Sequence, residues 1–161
     1  MSPLRDLIQE AIGSHGRNDA VAILGCGSEL RGDDAVGPLV ASSLADLAGR
    51  AQAFNGDVAP ENQTGAIKQF NPGLVLLVDA LDMGLEPGEA RLIDPDEVEG
   101  VSFSTHMLPL PIIMDYLRRE IGCPVLLIGI QAKSLEFLGA MTPEVARAGE
   151  ALVAELRQLL A

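Results

Sequence analysis

The sequence predicts an α/β protein, a three-layer α/β/α sandwich around a sheet of about five mostly parallel strands with one antiparallel edge strand. Three short apolar runs, at residues 20–26, 74–80 and 124–130, have the composition of strands buried on both faces of such a sheet. Segments with apolar residues at helical spacing lie between these runs and after the last one. Strands and helices that alternate along a chain indicate a sheet covered by helices on both faces.

The remaining elements follow from local patterns. Weaker strands are predicted at residues 51–54 and 89–93, and the second alternates in polarity after an EPG turn, as antiparallel edge strands do. Helical spacing covers residues 1–12, 35–48, 62–70, 107–121 and 142–161. The last of these helices has a strong start, with Thr142 as N-cap, Pro143 in the first position and Glu144 in the first turn.

Length and composition bound the class of protein. At 161 residues the chain is expected to form a single domain over residues 1–161. The mean hydropathy is +0.26, but no apolar run approaches the roughly 18 residues that cross a bilayer. The first dozen residues lack the basic start and long apolar stretch of a signal peptide. We therefore expect a soluble, cytoplasmic protein with no membrane insertion.

Charge and cysteine content exclude further classes. The chain has 11 basic and 23 acidic side chains, a net charge of −12, and such a surface repels phosphate backbones. No nucleic-acid partner is expected. Cys26 and Cys123 form no CxxC pair and lie in apolar surroundings, which predicts buried, reduced thiols rather than a zinc or redox site.

Acidic side chains lie at the ends of two predicted strands, and they share one crevice if these strands are neighbours in the sheet. The first strand runs into GSELRGDD, and the strand at 74–80 ends on Asp79. Ligands of open α/β sheets bind beyond the carboxyl ends of strands, where the strand order reverses, so Asp33 or Asp34 is expected to meet Asp79 there. His106, in STHMLPLP, adds an imidazole. Two carboxylates and one imidazole suit nickel, zinc or a related divalent ion.

Each candidate also has a structural interpretation. An Asp just before a helix usually caps it, so one of Asp33 and Asp34 is expected to be a cap, and the pattern leaves open which one. Asp79 closes an apolar strand, where a buried carboxylate costs several kcal/mol unless it is paired or metal-bound, so it is the best single candidate. Asp82 is expected to be a solvated loop residue, and His15 is a weaker candidate than His106.

A phosphate-binding interpretation of the glycine-rich turn fails on its details. GCGSELRG spaces its glycines as GxGxxxxG, carries no Walker lysine, and brings two carboxylates to the position of an anionic phosphate. Gly25 and Gly27 are expected to let the backbone turn sharply off the strand. A nucleotide-binding enzyme is therefore disfavoured, and a cation is the expected ligand.

These motifs resemble those of the hydrogenase maturation proteases, nickel-dependent endopeptidases that remove a C-terminal peptide from the large subunit of nickel-iron hydrogenase. The family pattern G-x-G-N-x-L-x-x-D-D/E-x-x-G is seen as GCGSELRGDDAVG, the strand-end Asp as LLVDALDMG and the histidine as STHMLPL. The similarity extends from about Val21 to the final helix. NGDVAPEN, THMLPLP and LLIGIQ are similar to the branch that acts on hydrogenase 3, the formate-hydrogenlyase type.

The resemblance implies a phosphorylase/hydrolase-like fold and an aspartyl-type endopeptidase that cuts the immature large subunit after nickel insertion. It implies Asp34 and Asp79 as catalytic residues, and Asp34, Asp79 and His106 as metal ligands. Nickel is the implied cofactor, resident or carried by the precursor, with zinc or cadmium as substitutes in vitro. The immature large subunit is the expected partner of a monomer. A non-cleaving nickel-binding chaperone of hydrogenase assembly is the alternative, because it needs the same ligands.

The sequence departs from the family pattern at a few positions. Ser28 stands where the first motif usually has Asn, which keeps a hydrogen-bonding turn residue. Ala35 replaces a frequent Gly. Where the family commonly has Asp before Gly, this chain has Asn55, with Asp57 two residues later. Whether an acid is needed at position 55, or Asp57 takes over its role, stays open.

Overall fold

The structure, a computed structural model, describes residues 3–14, 18–93, 102–103 and 109–161. Its strands are β1 (Val21–Cys26), β2 (Ala51–Asp57), β3 (Leu74–Asp82), β4 (Ala90–Ile93), β5 (Ser102–Phe103) and β6 (Val125–Gln131). They form one sheet in the order β2-β1-β3-β6-β4, and the two-residue β5 pairs with the end of β3. The β1–β2, β1–β3 and β3–β6 pairs are parallel, whereas β4 and β5 are antiparallel to their neighbours.

Helices cover both faces of this sheet. They are α1 (Pro3–Ser14), α2 (Val36–Ser43), α3 (Thr64–Phe70), α4 (Leu110–Ile121) and α5 (Pro143–Leu159). Successive strand side chains point to opposite faces, so Val21 and Ile23 pack with α1, α2 and α5, while Ala22 and Leu24 pack with α3 and α4. Two apolar cores, one on each face, make the three layers.

The predicted fold class is confirmed, including all five predicted strands and the antiparallel edge at β4. Some boundaries differ. The second helix ends at Ser43, because residues 44–46 form turns, and the predicted start of the third helix is a short 3-10 helix, Pro60–Gln63. Within the described part of the chain, no helix is long and apolar enough to cross a bilayer.

The strand order locates the crevice in which the candidate residues lie. From β1 the chain moves to β2 on one side of the sheet, whereas β3 lies on the other side of β1. The order therefore reverses between β1 and β3, the condition under which α/β sheets form ligand sites. Gly25 is in register with Val78, so Cys26 and Asp79 follow at the same level.

Candidate active site

Asp79 lies near the carboxyl end of β3 and is completely buried. It alternates with Leu77 and Leu81, which belong to the core under α3 and α4, so its side chain lies on that face of the sheet. Its partner in the next strand is Gly129 of β6. A carboxylate at this depth is costly unless other groups compensate for its charge, and the functional role of Asp79 stays a prediction.

Asp34 lies in the 3-10 helix Gly32–Ala35, directly after the turn that leaves β1, and is also completely buried. Its Oδ2 accepts a hydrogen bond from the Ser28 N–H at 2.8 Å. Gly27 makes this turn possible, because its φ is 137° and a Cβ there would overlap the Asp34 carbonyl oxygen. The predicted role of Gly27 is confirmed.

Gly25 has a different role from the one predicted. It lies inside β1 rather than in the turn, and a Cβ there would overlap the carbonyl oxygen of Gly37 in α2. Its small size therefore lets α2 approach the strand. This close approach brings the segment that follows Asp34 against the end of the sheet.

Asp33 is a structural residue, and the expected capping role is wrong for both acids. Its Oδ2 accepts the N–H groups of Lys133 and Ser134 at 2.7 and 2.9 Å, and its Oδ1 accepts the Thr142 N–H at 2.7 Å. The Thr142 hydroxyl, expected to cap α5, donates to Asp33 as well, at 2.8 Å. The N-cap residue of α2 is Ala35, and no side-chain cap is formed at the helix starts after Arg31, Ala35 or Thr142. Asp33 thus fastens the segment after β6 to the turn that carries Asp34.

The charges of three acids converge on the end of β1. Burial raises the pKa of the Cys26 thiol well above its ordinary value, and the negative charges of Asp79, Asp34 and Glu61 raise it further. Cys26 is a free, fully buried thiol, as predicted. The site therefore combines apolar surroundings with a concentration of negative charge, which is a favourable environment for a cation.

Glu61 is the acid that sequence reasoning missed. It lies in the 3-10 helix Pro60–Gln63 after β2, and its Oε2 is buried with no hydrogen-bond partner among the described residues. The signal was present, since Glu61 follows the end of a strand next to β1 and belongs to NGDVAPEN. Applying the strand-end rule to β2 as well as to β1 and β3 would have selected it.

Gln131, at the end of β6, supports the chain that leaves β3. It is 6% exposed, and its Oε1 accepts the N–H groups of Met83 and Leu85 at 2.7 and 3.2 Å. Its Nε2 donates to the Ala132 carbonyl oxygen at 2.9 Å. One buried amide side chain therefore holds the segment that follows Asp79.

The departures from the family pattern have local explanations. The Ser28 hydroxyl accepts the Leu30 N–H at 3.2 Å, so it does act as a turn residue. Asn55 is exposed and accepts the Asp57 N–H at 3.1 Å through its side chain. Asp57 is exposed too, with a φ of 50°. Neither Asn55 nor Asp57 is buried with the acids around Cys26.

His106 and His15 lie outside the described residues. In the part of the chain that is described, no group of three or more His, Cys, Asp or Glu side chains has the arrangement of a metal site. The predicted ligand set of Asp34, Asp79 and His106 therefore remains a prediction. The strand before His106 is described, and in it Phe103 pairs with Leu81, two residues after Asp79.

Comparisons with known proteins determine the family. Residues 40–158 match the family model described as Hydrogenase maturation protease. The Hydrogenase 3 maturation protease of Escherichia coli is 40% identical over 136 residues, which cover 83% of this chain and 86% of that protein. The chain belongs to the hydrogenase maturation protease family. As a member of it, the chain is a hydrogenase maturation endopeptidase, and its substrate is a hydrogenase large-subunit precursor.

Solved structures of maturation proteases have the same fold. A NiFe hydrogenase maturation protease from Thermococcus kodakarensis superposes with a TM-score of 0.85 at 32% identity, covering 96% of this chain and 98% of that one. An endopeptidase from Escherichia coli, solved in solution, gives a TM-score of 0.75 at 38% identity, covering 84% and 87%. The maturation-protease fold thus extends over nearly the whole chain.

Proposed function

We propose that the chain removes the C-terminal extension of a nickel-iron hydrogenase large-subunit precursor after nickel insertion, and that Asp34, Asp79 and His106 hold the nickel. One observation carries the proposal: two completely buried carboxylates lie at the point where the strand order reverses, Asp79 near the carboxyl end of β3 and Asp34 in the turn after the adjacent β1. We expect the reaction to take place in the cytoplasm and to need one copy of the chain.

The donor set fits a divalent ion. Two buried carboxylates raise the free energy of the folded protein unless positive charge compensates for them, and Glu61 adds to the negative charge. Carboxylate and imidazole donors together suit nickel and its neighbours in the transition series. His106 is proposed as the third ligand from the resemblance of STHMLPL to the family's histidine motif.

Asp34 and Asp79 are the proposed catalytic residues. The Ser28 N–H holds one oxygen of Asp34, so this carboxylate is oriented before the substrate binds. In apolar surroundings a carboxylate is suited to accept the proton of an attacking water, and we assign that task to the Asp34 and Asp79 pair. When bound, nickel would act as a Lewis acid on the scissile carbonyl, and its presence would distinguish a precursor that has received its nickel from one that has not.

The test is mass spectrometry of a large-subunit precursor incubated with the protein, with and without prior nickel insertion. We expect a short C-terminal peptide to be released only from the nickel-loaded precursor. Asp79→Asn and His106→Ala should abolish release while the melting temperature stays close to that of the wild type. Asp82→Asn is the matched control, since Asp82 is an exposed acid three residues after Asp79.

Two outcomes would contradict the proposal. A fully active Asp79→Asn enzyme would remove the site assignment. A nickel-loaded, competent precursor that binds the wild-type protein yet stays intact would favour the chaperone alternative. Calorimetric titration with nickel separates the ligand assignment from catalysis, because the affinity should fall at least about tenfold in Asp34→Asn, Asp79→Asn and His106→Ala.

A further inference from the structure

An exposed apolar surface lies beside the candidate active site. We call it the apolar rim, and it consists of Leu30, Leu135, Phe137 and Leu138. Leu30, Phe137 and Leu138 are 56%, 58% and 72% exposed. Of the nine large apolar side chains that are exposed in the described part of the chain, four belong to this rim. Single exposed apolar residues are ordinary, whereas a cluster of them marks an interaction surface.

The rim is held together by backbone pairing of two segments distant in sequence. The Leu138 N–H donates to the Leu30 carbonyl oxygen at 2.6 Å, and Arg31 and Phe137 form an isolated antiparallel bridge. The Arg31 guanidinium lies over the Phe137 ring, 5.5 Å from its centroid. The apolar side chains therefore project from two segments that backbone hydrogen bonds hold together.

Hydrogen bonds between the same two segments also connect the rim to the candidate active site. Asp33 binds the N–H groups of Lys133 and Ser134, and the Asp33 N–H donates to the Ser134 carbonyl oxygen at 2.9 Å. Gly32 packs against that carbonyl, where a Cβ would approach to 2.7 Å. Asp34 is the next residue. The rim and the proposed catalytic carboxylate are thus parts of one continuous structure.

Leu138 is an unfavourable residue for the stability of the fold. Its φ is 62°, a left-handed conformation that glycine and asparagine adopt at lower cost, and most of the residue is exposed to water. Neither backbone conformation nor burial in the described structure accounts for leucine at this position. An outlier of this kind beside a functional site points to a role in binding.

We propose that the apolar rim is the surface on which the hydrogenase large-subunit precursor docks. This inference rests on the proposed function, because the rim is built on the same turn that carries the proposed catalytic Asp34. A folded substrate also needs contacts outside the crevice, and apolar side chains with an aromatic ring and a guanidinium are the groups that dominate such interfaces. The net charge of −12 disfavours a second copy of this chain or an anionic membrane as the occupant.

The test compares steady-state cleavage of the nickel-loaded precursor by the wild type and by the double variant Leu30→Ser, Leu138→Asn. Asparagine suits the left-handed conformation, so this change should not lower the melting temperature. We expect the KM to rise at least about tenfold with kcat unchanged, the effect of losing an interface anchor. The control is Leu7→Asn, which changes a 48% exposed leucine on α1 and should have no effect.

Several results would overturn the inference. An unchanged KM, or a loss confined to kcat, would mean that the rim does not bind the precursor. A wild-type dimer that the double variant dissociates in sedimentation experiments, with KM unchanged, would assign the rim to self-association. The Kd for the intact precursor is measured in parallel. If the wild type cleaves nothing, the proposed function fails, and the rim is still judged by whether the double variant weakens binding tenfold.

Discussion

Asp33 and Asp34 are adjacent, equally buried aspartates, and we predict opposite consequences when each is replaced by asparagine. In Asp33→Asn one carboxylate oxygen becomes an NH2 group. In the less costly orientation this group replaces Oδ1, so the Thr142 N–H loses its acceptor, which costs about 1.5–3 kcal/mol. The bonds from Lys133 and Ser134 lose their charge assistance, roughly another 1 kcal/mol together.

The expected destabilisation is therefore about 3 kcal/mol. For a domain of this size it lowers the melting temperature by roughly 6–12 °C, which thermal unfolding followed by circular dichroism measures directly. Asp33→Asn should still cleave a saturating precursor at 25 °C, because Asp34 and Asp79 are unchanged.

Asp34→Asn should show the reverse behaviour. The amide oxygen can still accept the Ser28 N–H, and the change removes one of the negative charges around Cys26, so the melting temperature should stay within about 2 °C or rise. Cleavage should be lost. A melting temperature of Asp33→Asn equal to that of the wild type would refute the hydrogen-bond account, and wild-type cleavage by Asp34→Asn would refute the site assignment.

Two further predictions concern the frame of the site. Gly27→Ala should destabilise the protein by on the order of 3 kcal/mol, because the added Cβ overlaps the Asp34 carbonyl oxygen and the φ of 137° is strained for alanine. Gly13→Ala should instead stabilise the protein by about 0.5–1 kcal/mol, because Gly13 lies in α1 with open space around its Cβ position. Urea unfolding measures both, and equal effects would contradict the steric argument. Cys26 has a raised pKa in the folded state, so the unfolded chain releases its thiol proton first as the pH rises above 9.0. The free energy of unfolding should then fall by up to about 1.4 kcal/mol per pH unit. Cys26→Ala should reduce this slope. An unchanged slope in that variant would mean that Cys26 is not the group responsible.

The layers of the fold were predictable because their signals are local. A strand buried on both faces is apolar throughout, as in β1, β3 and β6, and an edge strand alternates, as in β4. These patterns depend on neighbouring residues only. β5 was missed because its two residues are too short for a periodic signal, and it exists through pairing with Leu81 and Asp82 at the end of β3.

The candidate site was predictable in part. Asp79 stands out in the sequence as an acid inside an apolar run, and burial follows from the run itself. The convergence of Asp34 on Asp79 depended on β1 and β3 being neighbours, which the strand order confirms. Glu61 was missed because the strand-end rule was applied to β1 and β3 and not to β2, the other neighbour of β1.

By itself, the sequence determined which segments are buried strands, that the buried charge of Asp79 needs a compensating group, and where α5 begins, because apolar periodicity and a helix-starting proline act over a few residues. Only the tertiary structure decided between Asp33 and Asp34. Both are acids in the same short turn, and the distinction comes from N–H groups about one hundred positions away in the chain. The apolar rim has the same origin, since Leu30 meets Leu138 only after the sheet has formed. Contacts of that range leave no periodic trace, so the folded chain was needed to find them.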